Sequence, residues 1–110
     1  MTSPYLRDLL AQPTALADTI AGLRSAAPLT DLARDLREGR YRRIVLTGMG
    51  SSFYAAHPLA LRLRAAGLWA AEVETSELNY YYPAWLAPDS LLVAISQSGA
   101  SAETVRLLAL

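Results

Sequence analysis

The chain contains no cysteine and no lysine, and His57 is its single histidine. Each absence removes a chemistry. Without cysteine there is no disulfide framework, no thiolate zinc site and no thiol nucleophile. Without lysine there is no Walker-type phosphate loop, no Schiff-base amine and no Ser-x-x-Lys acyl enzyme. One histidine barely permits a Ser-His-Asp triad and excludes a histidine-rich metal site. Charge is scarce as well. Only 18% of the 110 residues are charged, and ten arginines balance ten acids to a formal net charge of zero. A general nucleic-acid binder normally carries a basic surplus, so no nucleic-acid partner is expected. No apolar run approaches the roughly 20 residues of a membrane span. Residues Met1 to Tyr5 lack the basic-then-apolar plan of a signal peptide. The expected location is cytoplasmic, with no membrane partner.

What is present is apolar. Alanine and leucine fill 40 of the 110 positions, and 53% of the chain is hydrophobic. A chain this short buries a limited fraction of its surface. Part of the apolar surface is therefore expected to meet a partner chain or further sequence.

Hydrophobic spacing gives the order of elements. Leu6, Leu9 and Leu10 recur at helical spacing, and Gln12-Pro13 is expected to break that helix. Leu16, Ile20 and Leu23 line a second helix that ends near Pro28. A third is expected from Thr30, as its N-cap, to Gly39. Ile44-Val45-Leu46 reads as a buried parallel strand. Ser51-Ser52 opens an Ala/Leu-rich helix to about Ala66, which Pro58 should kink or divide and Gly67 should stop. Residues 71–75 alternate like a second strand. Ser76 to Tyr82 is ambiguous, with a short helix capped by Ser76 as one option. Pro83 and Pro88 bracket a loop, and 91–95 reads as a third buried strand. A last helix begins near Ser101 and is still running at Leu110. Strands alternating with helices imply an α/β fold with a doubly wound parallel sheet, preceded by leading helices. Three parallel strands leave an open edge, so the sequence reads as the N-terminal portion of a longer protein.

Two strand-end loops carry the chemistry. Thr47-Gly48-Met49-Gly50-Ser51-Ser52 follows the first strand, and Ser96-Gln97-Ser98-Gly99-Ala100-Ser101 follows the third. Ligands of parallel α/β sheets bind beyond the carboxyl ends of strands. Glycine lets a backbone approach a ligand, a helix start offers unpaired N–H groups, and Ser and Gln add neutral donors. Two such loops on one sheet edge could surround an anion, and a phosphosugar would use the hydroxyls and amides together. A dinucleotide fold is the rival, with Glu72 or Glu74 as the ribose acid. However, Phe53 stands where the third glycine of Gly-x-Gly-x-x-Gly belongs. A Gly-x-Ser-x-Gly nucleophile elbow is absent, because Gly50 stands where its serine would be.

These residues resemble the SIS (sugar isomerase) domain family, most closely the isomerase half of the glutamine–fructose-6-phosphate amidotransferases (glucosamine-6-phosphate synthases). Gly48-Met49-Gly50-Ser51-Ser52-Phe53-Tyr54-Ala55 is similar to that family's Gly-x-Gly-Thr/Ser-Ser-Tyr-x-Ala segment. Ile95-Ser96-Gln97-Ser98-Gly99-x-Ser101-x-Glu103-Thr104 is similar to its Ile-Ser-Gln-Ser-Gly-Glu-Thr-x-Asp-Thr segment. Leu6-x-x-Leu9-x-x-Gln12-Pro13 and Val73-Glu74-x-Ser76-Glu77-Leu78 resemble two further stretches. The resemblance implies a three-layer α/β/α SIS fold, with a helical leader over 1–40 and the first part of an SIS domain over 41–110. It implies phosphosugar binding by Gly50, Ser51 and Ser52 from the first loop and Ser96, Gln97, Ser98 and Ser101 from the second. No cofactor, metal or catalytic residue in this chain is implied, because the family's ring-opening His, enolising Glu and C-terminal Lys lie in a later part. A homo-oligomer, a dimer in the full-length protein, is implied too. Ala100 replaces a common Glu, and Phe53 replaces a Tyr. The implied activity is that of the N-terminal half of an aldose/ketose isomerase or deaminase acting on a sugar or amino-sugar 6-phosphate. A non-catalytic phosphosugar sensor is the alternative.

Other residues read as structural. His57 is expected to pack rather than catalyse. Tyr80-Tyr81-Tyr82 with Trp85 reads as an interface patch before a sugar platform. Arg34, Arg37, Arg40, Arg42 and Arg43 read as a solvated face offset by Asp31, Asp35 and Glu38.

Overall fold

The structure, a computed structural model, describes residues 3–109. Met1, Thr2 and Leu110, which enter the expectations above, lie outside them. The chain forms two compact units, Met1–Glu38 and Gly39–Leu110.

The first unit holds two helices, not three. Helix α1 spans Pro4–Arg24 and runs through Pro13 without a break. Proline inside a helix removes one backbone bond and costs about 3 kcal/mol. Here the alanines and leucines on both sides, with the best helix propensities, carry the helix across it. Ser3 caps its start, where Leu6 N–H donates to Ser3 Oγ (3.1 Å). Helix α2 spans Ala27–Arg37 with Pro28 in its first turn. A missing N–H costs nothing there, so the helix starts before Thr30, which lies inside it rather than capping it. Gly39, at φ +75°, ends it as the sequence predicts.

The second unit is a parallel sheet with helices on both faces. Strand β1 (Arg43–Gly48) lies between β2 (Ala70–Glu74) and β3 (Ser90–Ala94). The registers align Leu46 with Glu72 on one side and with Val93 on the other. Being central, β1 is buried from Ile44 to Gly48, whereas β3 at the edge is only half-buried, short of the expected full burial. Alternate residues face opposite sides. Val45 packs with Val73, Leu78 and Leu107, and Trp85, Leu86 and Leu92 close over them. Thr47 shares that side, where its hydroxyl lies 3.0 Å from the buried Thr75 hydroxyl.

Ile44 and Leu46 point to the other face, which carries α3 (Ser51–Ala55) and α4 (His57–Ala65). Ala56 and Ala60 are fully buried, small enough to bring these helices close to the sheet. The predicted single helix is divided at Ala56, with Pro58 in the first turn of α4. Helix α5 spans Thr75–Tyr80; it starts one residue before Ser76, which makes no cap. A 3-10 turn follows at Pro83–Trp85. Helix α6 spans Ala102–Leu108, and the expectation that it is still running at Leu110 lies outside the described residues. From β1 the chain passes to β2, then crosses back to β3. The topological switch therefore falls at the carboxyl ends of β1 and β3, where the two loops lie. Among the described residues no helix is long and apolar enough to cross a membrane.

Candidate functional site

The first loop depends on close packing at Gly48. A Cβ there would sit 2.8 Å from Phe53 N and from the Ser52 carbonyl carbon, and 3.1 Å from the Ile95 oxygen. All three are backbone atoms, so only glycine lets the start of α3 press against the end of β1. The turn itself needs Gly50, whose φ is +56°. Phe53 N–H and Tyr54 N–H then donate to the Gly50 carbonyl (3.1 and 3.3 Å), which starts α3 at Ser51. The two loops are tied together where Ile95 N–H donates to the Thr47 carbonyl (2.9 Å).

Hydroxyls fold the second loop. Gly99 N–H donates to Ser96 Oγ (2.8 Å) and Ala100 N–H to Ser98 Oγ (3.2 Å). Gly99 adopts φ +68°. Ser101 caps α6: Thr104 N–H donates to Ser101 Oγ (3.4 Å), and the two hydroxyls lie 2.7 Å apart.

Between the loops is a pocket of about 190 Å³, lined by six of the seven predicted residues: Ser51, Ser52, Ser96, Gln97, Ser98 and Ser101. Gly50 shapes the turn but does not line the pocket. The serines differ in what they have left to offer. Ser96 and Ser98 accept from their own loop, which leaves each hydroxyl hydrogen free to donate. The side chains of Ser51, Ser52 and Gln97 have no hydrogen-bond partner among the described residues. The Ser101 hydroxyl is already engaged with Thr104.

Sequence reasoning passed over Met49, Ile95 and Thr104, which also line the pocket. Thr104 is 5% exposed. Its signal was present in the three-residue spacing from Ser101, the spacing at which a cap bonds. No charged side chain lines the pocket. An anion there would be held by hydroxyls, a carboxamide and backbone amides, at hydrogen-bond range.

The other candidates lie elsewhere. His57 Nδ1 is 2.9 and 3.0 Å from the two Glu72 oxygens, and Arg64 Nη1 donates to Glu72 Oε1 (3.2 Å). Arg64 Nε also donates to the Ala70 carbonyl (2.8 Å). Glu72 is thus engaged by His57 and Arg64 between α4 and β2, and it does not line the pocket. Tyr82 stacks on Trp85 at 4.7 Å, and Arg106 Nη1 donates to the Tyr80 hydroxyl (2.8 Å). None of these aromatics lines the pocket.

The chain is thus a parallel α/β protein with a glycine–serine pocket at the switch point of its sheet, and sequence comparison supplies the family. The sequence profile of the SIS domain matches residues 40–110, and the chain belongs to the SIS domain family. The chain is 37% identical over 107 residues to the glutamine–fructose-6-phosphate aminotransferase (isomerizing) of Pyrococcus horikoshii, covering 96% of this chain and 17% of that protein. The enzymes of the same name from Pyrobaculum aerophilum and Thermococcus kodakarensis are 33% and 30% identical. Those matches cover 92% and 96% of this chain and 16% and 17% of the relatives. The chain thus spans about a sixth of the length of these relatives. No solved structure matches it significantly.

Proposed function

We propose that the strand-end pocket binds a phosphosugar, and that this chain is the binding half of an aldose/ketose isomerase or deaminase acting on a sugar or amino-sugar 6-phosphate. The observation that carries this reading is the meeting of two loops, 45 residues apart in sequence, around one uncharged pocket of about 190 Å³. The names of the relatives, which contain fructose 6-phosphate, support the ligand class.

In this reading the side chains of the pocket divide the work. Ser52, Ser96 and Ser98 donate hydroxyl hydrogens to phosphate oxygens, Ser51 and Gln97 serve the sugar hydroxyls, and Gly48 and Gly50 shape the loop around them. Ser101 contributes mainly by holding the start of α6. Facing side chains include no Asp, Glu, His, Lys or Arg. The pocket therefore binds and orients, and proton transfers fall to groups outside it. A helical leader over 1–40, a first SIS portion over 41–110, a homo-oligomeric state and a cytoplasmic location belong to this reading through the family.

Calorimetric titration with fructose 6-phosphate tests it. The expected result is saturable binding, with fructose and inorganic phosphate each much weaker, because each offers half of the contacts. Absence of binding by any sugar 6-phosphate would overturn the assignment.

A further inference from the structure

The opposite edge of the sheet carries a second pocket, of about 330 Å³, lined by Arg42, Arg43, Trp69 and Asp89. These residues stand at or just before the starts of β1, β2 and β3, and the parallel topology gathers those starts together. Backbone bonds fix them there. Arg42 N–H donates to the Asp89 carbonyl (2.8 Å), and Ile44 N–H to the Trp69 carbonyl (2.9 Å).

The side chains are arranged as well. The Arg43 guanidinium lies over the Trp69 indole, 5.9 Å from the ring centroid. Trp69 meets Trp85 edge to face at 6.0 Å, and Trp85 stacks on Tyr82, so the indole is braced although half exposed. Arg42 Nε is 3.8 Å from Asp89 Oδ2, with the Arg42 side chain 81% exposed. A pair that long and open adds little to stability. That ion pair does not explain why two arginines and a tryptophan share this corner.

Chemistry does. Two guanidinium groups against one carboxylate leave one positive charge, and guanidinium forks match phosphate oxygens. A bare phosphate would have no use for an indole, whereas a base stacks on one. The Asp89 carboxylate accepts from a hydroxyl or an amine. A nucleic-acid strand is disfavoured, because the chain as a whole carries no net charge.

We infer that this pocket is a second binding site, for a nucleoside monophosphate. Its phosphate lies across Arg42 and Arg43, its base packs on Trp69, and a ribose hydroxyl donates to Asp89. The six residues of β1 span about 20 Å between this site and the strand-end pocket. Ligands in the two pockets therefore do not touch, and the second site binds independently of the first. It does not depend on the phosphosugar assignment.

Calorimetric titration of the full chain with adenosine 5′-monophosphate tests it, with adenosine and inorganic phosphate as controls. Saturable binding of the nucleotide is expected, with each control weaker by about tenfold or more. Arg42→Gln and Arg43→Gln, both at exposed positions that leave the core untouched, are each expected to weaken it by about tenfold or more. Saturating fructose 6-phosphate should leave nucleotide binding unchanged. No binding, equal binding of inorganic phosphate, binding unaffected by either substitution, or displacement by fructose 6-phosphate would each overturn the proposal. The last two would place the nucleotide in the strand-end pocket instead.

Discussion

At their carboxyl ends β1 and β3 run into glycine and serine; at their amino ends the same two strands are entered from arginine and aspartate. The two ends of one sheet thus carry two different sets of groups. The strand-end pocket holds no charge and presents hydroxyls and amides whose reach is a single hydrogen bond. The strand-start pocket holds two guanidinium groups, a carboxylate and an indole. Neutral donors select by distance and direction, because a misplaced acceptor finds nothing. Cations attract over a Debye length, and a flat ring adds the shape requirement they lack. A pocket that must orient a sugar gains from the first arrangement.

The largest expected effect breaks one side of this comparison alone. Gly48→Ala drives a Cβ into backbone of α3, and should destabilise the chain by about 1–3 kcal/mol in urea unfolding and abolish phosphosugar binding. Next come the serines. Ser52→Ala and Ser98→Ala should each weaken fructose 6-phosphate binding by about 1–2 kcal/mol in calorimetry, as for hydrogen bonds to a charged group. Ser101→Ala should behave differently, costing about 1 kcal/mol of folding stability through the lost cap and less than that in affinity.

Salt separates the two edges without mutation. Between about 0.05 and 0.5 M salt, nucleotide affinity at the arginines should fall clearly and phosphosugar affinity only slightly. The smallest effect belongs to His57→Gln, which replaces the half-exposed partner of the largely buried Glu72. It should cost less than about 1 kcal/mol in urea unfolding and leave both ligands' affinities unchanged.

Both the class of fold and the pocket were legible because their signals are local. A β-branched run ending in glycine names a buried strand and its exit, and Ser-Gln-Ser-Gly names its own turn. Six of the seven residues chosen from the sequence line the pocket. What was not legible depends on context outside the window. Pro13 and Pro58 look alike in sequence, yet one is carried inside α1 and the other opens α4. Position within a helix decides whether a missing N–H matters, and sequence does not fix that position. The half-burial of β3 follows from its place at the sheet edge, which hydrophobicity does not report. Arg42, Arg43, Trp69 and Asp89 are scattered along the chain, and only the parallel topology assembles them.

The most direct measurement is an amide NMR titration with fructose 6-phosphate. The predicted result is saturable shifts of the amides of Ser51, Ser52 and residues 96–99, with those of Arg42, Trp69 and Asp89 unmoved. Shifts confined to Arg42, Trp69 and Asp89, or no shifts at all, would contradict a phosphate site built from neutral donors at the strand ends.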